Sequence, residues 1–276
     1  MKSVLNKKSF EDLLTKLKKS SRLLLFINYD KVLADLSKQG VPLSLSLKLR
    51  KQLRELSEKD GLHLILISNH SMKTLKKIVG FSGIYLIANR GLEILGPDVS
   101  VVHSEAKNQR KSLKKIAEKI TQKNKKFPGI KLEDRGLSLV MNFSEANLQT
   151  QTKARAWCEE LWTTIMDKIT IQEERNQLIM YPRVGWNNTR AVMFLCNKFT
   201  SPRRRPFIIT IGADKNDEEI FDFVDKEGIV ISVTNEKKIP NSKANYYLKN
   251  REEVKQFISN LQEKVSSIYS RYKKTL

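Results

Sequence analysis

The chain has 276 residues, enough for one large or two modest domains, and its 40% hydrophobic content is ordinary for a soluble globular protein. A total of 51 Lys and Arg against 30 Asp and Glu gives a formal net charge of +21. Such a charge favours encounters with phosphates, anionic lipids or RNA without selecting among them. The apolar runs are far shorter than the roughly 20 residues of a membrane span, which predicts that no membrane is a partner.

The beginning of the chain and its cysteines favour a cytoplasmic protein. The first 20 residues have no uninterrupted apolar stretch, and Glu11 and Asp12 argue against an organelle signal. Cys158 and Cys196 are too few for a disulfide framework or a metal cluster, so we interpret them as two reduced thiols.

Short apolar runs without strict alternation are typical of strands buried on both faces of a parallel sheet. Five such runs occur, at 22–28, 62–68, 83–88, 207–212 and 228–233. The run at 62–68 has a polar ring at its second position, His63, which we interpret as a core residue. Helical spacing of apolar residues follows in 43–59, 71–80 and after Asp217. Strands that alternate with helices predict an α/β, doubly wound domain.

The middle of the chain has an α+β pattern instead. It predicts a basic amphipathic helix, a pair of strands, a second helix and a further strand, over 104–126, 129–143, 146–168 and 176–182. We therefore expect an inserted domain at 105–182, between two parts of an outer domain at 1–104 and 183–276.

Several motifs, taken in chain order, carry a family resemblance. They are "FINYDKVLAD" (26–35), "KKIVGFSGIYLIANRGLEILGPD" (76–98), "LEDRGLSLVMNF" (132–143), "VGWNNTRAVMFL" (184–195) and "IGADKNDEEIF" (211–221). Together they resemble the trehalose-6-phosphate phosphatases of the haloacid dehalogenase (HAD) superfamily, over about residues 20 to 250. The resemblance implies a Rossmann-like HAD core with a parallel sheet and an inserted α+β cap domain.

The first motif departs from the family pattern D-Y-D-G-T-L. In the family its first Asp attacks phosphorus and binds Mg²⁺, and its second Asp is the general acid/base. Here Asn28 takes the first position and Asp30 the second, with Lys31 and Val32 in place of Gly and Thr. A neutral amide is a poor nucleophile and a weaker Mg²⁺ ligand than a carboxylate. The resemblance therefore implies a residual acid/base at Asp30 without a nucleophile beside it.

The later motifs are altered as well. Ser68 keeps the hydroxyl that holds a phosphate oxygen in the family, whereas Asn188 replaces the phosphate-binding motif lysine. Ala213 replaces one Mg²⁺-binding Asp, and Asp214 and Asp217 remain as weak candidate metal ligands. Mg²⁺ is thus the cofactor that the resemblance implies, at a site that looks impaired.

Substrate recognition is predicted at five polar positions. The resemblance assigns cap or substrate contacts to Glu133, Arg135, Asn89, Arg90 and Glu93.

These motifs together predict a catalytically inactive relative, a pseudophosphatase of trehalose metabolism. Its predicted partners are a sugar phosphate or a trehalose-pathway enzyme. One alternative is a weakly active, Mg²⁺-dependent sugar-phosphate phosphatase that uses Asp30, Asp214 and Asp217. Another is an RNA- or ribosome-associated module that uses the basic run at 107–131. A spread of solvated lysines would explain the charge equally well.

One substitution suggests a more specific hypothesis. Lys31 could supply the positive charge of the lost metal and bind a phosphate together with Ser68, without turnover. The alternative is that Lys31 is a solvated loop lysine.

Overall fold

The computed structural model describes residues 1–34, 44–174, 176–202, 205–213, 215–236 and 241–269. Their contacts divide them into two compact units. The first unit contains the described residues of 1–100 and those from 187 onwards, and the second contains the described residues of 101–186. The insertion predicted from the sequence, at 105–182, lies within the range of the second unit.

The strands of the described residues are β1 (Lys2–Ser3), β2 (Leu23–Asn28), β3 (Leu62–Ile67), β4 (Tyr85–Ala88), β5 (Glu93–Gly96), β6 (Val99–Val102), β7 (Lys131–Asp134), β8 (Leu139–Asn142), β9 (Ile169–Glu174), β10 (Gln177–Pro182), β11 (Phe207–Gly212), β12 (Gly228–Val233) and β13 (Tyr246–Leu248). The helices are α1 (Lys7–Leu17), α2 (Leu47–Ser57), α3 (Met72–Val79), α4 (Ser104–Asn108), α5 (Arg110–Asn124), α6 (Leu148–Thr163), α7 (Asn188–Phe199), α8 (Glu218–Asp225) and α9 (Arg251–Tyr269). Short 3-10 turns lie at Asn89–Gly91 and Lys215–Asp217.

The first unit is built on a nine-stranded sheet in the order β1-β13-β12-β11-β2-β3-β4-β5-β6. Neighbouring strands from β1 to β4 in this order are parallel, and β5 is antiparallel to β4. The five apolar runs are confirmed as β2, β3, β4, β11 and β12, and the α/β class is confirmed with them. Residues Leu23 to Ile27 of β2 are 0% exposed, as expected for a central strand covered on both faces.

Short polar residues begin the helices that follow the strands. Ser46 accepts a hydrogen bond from the Leu49 N–H at the start of α2, and Ser71 accepts one from the Thr74 N–H at the start of α3. Helix α3 ends at Gly80, whose φ of 71° suits a residue without Cβ. These caps set the helix ends, and therefore the lengths of the loops that carry the polar residues of the first unit.

The second unit contains an antiparallel sheet in the order β7-β8-β10-β9. Helices α5 and α6 share one buried cluster with this sheet, which includes Leu113, Ile116, Ile120, Met141, Ala154, Cys158, Leu161, Ile169, Leu178 and Met180. The apolar stripe predicted for the basic helix is therefore part of a core.

Two elements of the second unit were predicted wrongly. The helix expected over 146–168 ends at Thr163, and β9 follows it. Strand β9 reads ITIQEE, with too few apolar residues to mark it as a strand before its neighbour β10 is known. The single helix expected over 104–126 is two helices, because Gln109 takes φ and ψ angles of −83° and −2° between them. No helix among the described residues is long and apolar enough to span a membrane.

Candidate functional site

Polar residues follow three neighbouring strands of the large sheet. Asn28 ends β2, Ser68 follows β3, and Asp217 lies in the turn after β11. Strand β2 pairs in parallel with β11 on one side and with β3 on the other. Because the carboxyl ends of parallel strands meet at one edge, these side chains come together where open α/β sheets bind ligands.

Asn28 and Asp217 are joined by a short hydrogen bond. The side-chain Nδ2 of Asn28 donates to Oδ1 of Asp217 over 2.7 Å, and the Ala213 N–H donates to the other oxygen, Oδ2, over 2.8 Å. The amide oxygen of Asn28 accepts from the Asp30 N–H over 3.1 Å. Asp217 is 4% exposed. The nucleophile position of the family thus holds a donor that satisfies a buried carboxylate.

Asp30 accepts hydrogen bonds from the residues that follow β3. The Ser68 hydroxyl lies 3.0 Å and the Asn69 N–H also 3.0 Å from Oδ2 of Asp30. Nε2 of the buried His70 is 3.9 Å from Oδ1. Hydrogen bonds to an ionised acceptor are among the stronger ones in proteins. The carboxylate of Asp30 is therefore a structural acceptor that ties the ends of β2 and β3 together.

Lys31 and Ser68, the two residues of the phosphate hypothesis, differ in their surroundings. Lys31 is exposed and has a φ of 70°, a left-handed conformation that glycine adopts without strain. This explains why a glycine suits the same position of the motif. Ser68 is 1% exposed, and its hydroxyl donates to Asp30 and accepts from the His70 N–H over 3.1 Å. A phosphate could contact Ser68 only by replacing Asp30 as its acceptor.

Asn188, at the motif-lysine position, is the first residue of α7. Its Nδ2 donates to Oδ1 of Asn69 over 3.2 Å. Asn69 links Asn188 to Asp30 and was not among the predicted site residues, although it stands directly after Ser68 in the loop that follows β3. Asp214 lies outside the described residues.

Asn89, Arg90 and Glu93 lie in the first unit. The Asn89 side chain donates to Glu93, which also accepts from the Met72 N–H at the start of α3. Asn89 and Arg90 take φ angles of 49° and 61° in the turn after β4. Asn89 is 1% exposed, so its amide supports this turn.

Glu133 and Arg135 form a pair in the second unit. Nη2 of Arg135 lies 2.8 Å from Oε2 of Glu133, and Arg135 is 6% exposed. The five residues predicted to contact substrate therefore fall into two groups, with Asn89, Arg90 and Glu93 in the first unit and Glu133 and Arg135 in the second.

The described residues at the end of the large sheet do not fit Mg²⁺. This ion takes oxygen ligands in near-octahedral geometry. Asn28 points its NH₂ group at Asp217, and the side chain of Ala213 has no ligand atom to offer. Within the described ranges, no group of three or more His, Cys, Asp or Glu could hold a metal ion. With Asp at position 28, a cation would be needed between this residue and Asp217. Here a direct hydrogen bond joins the two side chains.

Histidine and cysteine side chains elsewhere in the molecule are packing residues. The His63 ring stacks on Phe199 with centroids 4.1 Å apart, and burial, with the charge of Arg22, lowers the pKa of His63 to about 4. Burial raises the pKa of Cys158 and of Cys196 to about 12, so both thiols are protonated at neutral pH. His103 contacts the ring of Trp186.

The comparisons with known proteins agree on one family. The trehalose-phosphatase family model matches residues 26–252. A probable trehalose-phosphate phosphatase C of Arabidopsis thaliana is 22% identical over 250 residues, which cover 87% of this chain and 77% of that protein. The trehalose-6-phosphate phosphatase C-terminal domain of C. albicans superposes with a TM-score of 0.76 at 19% identity, over 95% of this chain and 99% of that one. A trehalose-6-phosphate phosphatase related protein gives 0.73 at 15% identity, over 87% and 97%. The chain belongs to the trehalose-phosphatase family.

Proposed function

We propose that this protein is a pseudophosphatase, a member of the trehalose-phosphatase family that binds its ligand or partner without hydrolysing a phosphate ester. The single observation that carries the proposal is the hydrogen bond from Asn28 to Asp217. It uses the nucleophile position as a donor and the neighbouring carboxylate as its acceptor, so neither group is available for attack on phosphorus or for a metal ion.

The chemistry of the substituted residues supports the same proposal. An amide carries no negative charge and attacks phosphorus poorly. Loss of an enzyme's nucleophile alone typically lowers the rate by about 10⁴–10⁶-fold. The cation that the motif lysine would supply is also missing, because Asn188 is neutral and bonds to Asn69.

The bonding of Asp30 supports it further. A general acid must present a proton to the leaving oxygen. In this protein both the Ser68 hydroxyl and the Asn69 N–H donate to Oδ2 of Asp30. The Asp30 carboxyl group is thus engaged in holding the strand ends together.

A binding role in trehalose metabolism is the function that remains. The ligand would be a sugar phosphate, or the partner would be an enzyme of the trehalose pathway. Retention of the ion pair between the buried Arg135 and the partly exposed Glu133 supports a cap that keeps its family shape. Reduced thiols at Cys158 and Cys196 agree with a cytoplasmic location.

The direct test is phosphate release from trehalose 6-phosphate by the purified protein with Mg²⁺. We expect no release above that of buffer. Release that disappears in Asp30→Ala would contradict the proposal and favour a weakly active phosphatase. Calorimetric titration with the same compound then asks whether the sugar phosphate is a ligand of the unreacting protein.

A gain-of-function variant separates a lost nucleophile from a lost substrate site. Asn28→Asp, Asn188→Lys and Ala213→Asp combined restore the three missing charged groups. Hydrolysis by this triple variant would indicate that substrate recognition persists in the natural chain. Binding of trehalose 6-phosphate without hydrolysis would place the remaining defect at the strand ends.

A further inference from the structure

Charge is unevenly distributed within the second unit. Between residues 107 and 131 the sequence has 10 Lys and Arg and 1 acidic residue, Glu118. The rest of 101–186 has 6 Lys and Arg and 9 Asp and Glu. A lysine excess spread evenly through the whole chain would raise the net charge of both parts alike. The cations of this unit are instead concentrated on α4, α5 and the loop after α5.

The packing of α5 decides which way these cations face. Leu113, Ile116 and Ile120 are 1%, 5% and 0% exposed in the cluster beneath the helix. At about 100° per residue, an arc of roughly 180° remains on the side of α5 opposite these three apolar residues. It carries Arg110, Lys111, Lys114, Lys115 and Lys119, which are all exposed. The α5 basic face consists of these five residues with Lys107, Lys125 and Lys126, which are also exposed.

Ion pairs among the described residues leave the α5 basic face unneutralised. Within the part of the chain that the structure describes, none of its eight cations forms an ion pair with a carboxylate. Lys131, just beyond it, is paired with Glu145. An unpaired row of cations on a rigid helix produces a positive potential that anions reduce.

The surroundings of this face select among polyanions. A helix that binds a lipid surface buries its apolar side in the bilayer, but the apolar side of α5 is used in the core. Single-stranded nucleic acids are bound by stacking on aromatic rings, and residues 104–126 contain none. A double helix needs neither a free apolar side of the helix nor aromatic rings, because its backbone phosphates alone attract lysine and arginine.

The spacing of the cations suits a double helix. Arg110 to Lys119 span about 14 Å along α5 at 1.5 Å per residue. A duplex carries one charge per about 1.7 Å of its axis, or about eight phosphates over that length. We propose that the α5 basic face binds the phosphate backbone of double-stranded nucleic acid without reading its sequence. This inference does not depend on whether the protein hydrolyses a sugar phosphate.

The experiment measures binding of the full chain to fluorescent 20-base-pair RNA and DNA duplexes of two unrelated sequences. Anisotropy titrations at about 50 to 200 mM salt give the slope of log affinity against log salt. Lys111→Gln, Lys114→Gln, Lys115→Gln and Lys119→Gln are combined in one variant. The matched control combines Lys7→Gln, Lys8→Gln and Lys16→Gln on α1 with Lys19→Gln just after it, which removes the same charge from exposed positions.

We expect the natural chain to bind both sequences equally, with affinity that falls steeply as salt rises. The α5 variant should bind at least about tenfold more weakly at 100 mM salt, with a slope smaller by about 3 to 4, because each lost phosphate contact contributes about 0.9. A variant with only Lys114→Gln and Lys115→Gln should lose about half as much slope. Glutamine is a good helix former, so these changes preserve α5.

Three results would overturn the inference. Equal weakening in the α1 control would mean that net charge alone determines binding. Absence of duplex binding by the natural chain at about 50 mM salt would mean that the face does not recognise phosphate backbones. Binding to phosphatidylserine vesicles or to polyglutamate, with no binding to duplexes, would assign the face to a lipid surface or an acidic protein.

Discussion

The side-chain amide of Asn28 donates a hydrogen bond of 2.7 Å to the carboxylate of Asp217, and so joins the end of β2 to the turn after β11. The two residues are 189 positions apart in the chain. A carboxylate at position 28 would face Asp217 with like charge, and a cation would then be needed between them. The amide makes this edge of the sheet stable by itself.

Replacement of Asn28 by Asp should therefore destabilise the protein. We expect Asn28→Asp to lower the free energy of unfolding by about 2–4 kcal/mol at pH 8, because a buried bond is lost and two carboxylates approach each other. The loss should shrink at pH 5, where the pair can share a proton. Urea unfolding with and without millimolar Mg²⁺ checks this, since Mg²⁺ should stabilise the variant and leave the natural chain unchanged.

The control for this prediction is Asn28→Ala. It removes the bond without adding charge, so its stability loss should not respond to Mg²⁺. An Asn28→Asp variant as stable as the natural chain without Mg²⁺ would show that Asp217 does not depend on the amide donor.

Asp30 should matter for folding. Asp30→Ala leaves the buried hydroxyl of Ser68 and the N–H of Asn69 without their acceptor, and each such loss costs about 1–3 kcal/mol. We expect a decrease of about 2–4 kcal/mol in thermal or urea unfolding. Asp222→Ala, which removes an exposed carboxylate from surface ion pairs, should change stability by less than about 0.5 kcal/mol. Equal stability of the two variants would argue against the network around Asp30.

Gly212 should not tolerate a side chain. A Cβ there would lie 2.6 Å from Oδ2 of Asp217, so Gly212→Ala must displace the carboxylate that Asn28 and Ala213 hold. We expect a loss of about 1–3 kcal/mol from overpacking and the broken bonds. Gly185→Ala, where a Cβ meets nothing within 4 Å, is the steric control and should be close to neutral. A neutral Gly212→Ala would mean that Asp217 can move freely.

His63 should make stability depend on pH below neutrality. Its pKa falls from 6.5 to about 4 on folding, through burial and then the charge of Arg22. The unfolded chain therefore binds a proton more readily, and stability present above pH 6.5 is lost as the pH falls towards 4. Between pH 7 and pH 5 this residue should account for about 1–2 kcal/mol. Denaturation curves of His63→Gln should show a smaller loss, whereas an unchanged pH dependence would contradict the prediction.

The outer sheet was predictable because β2, β3, β4, β11 and β12 are buried on both faces and read as continuous apolar runs. The edge strand β9 was not, because only Ile169 of its six residues is buried and its register comes from β10. Helix α9 was predictable only in part. The helical spacing of its buried residues, among them Val254, Phe257 and Leu261, indicates a helix. The surface that they cover is made by distant parts of the chain, which this spacing does not identify.

The sequence named candidate site residues but not the bonds among them. Parallel pairing of β2 with β3 explains why Asn28, Asp30 and Ser68 lie at one edge of the sheet. Which group donates to which depends on atoms placed within a few tenths of an ångström, and no motif specifies this. Asn69 was missed for that reason, since its role rests on its backbone N–H and on one bond to Asn188.

The left-handed backbone at Lys31 has an evolutionary consequence. A φ of 70° costs a lysine on the order of 1 kcal/mol that a glycine would not lose. An enzyme that depends on the position of this loop has little tolerance for such strain. Under the proposed function, in which the chain does not turn over a substrate, the loop can accept this strain as long as the sheet beneath remains well packed, and the buried residues of β2 provide that packing. Sequence change at this loop would then be limited by folding stability, and residues such as Asp30 would persist to the extent that they hold strands together.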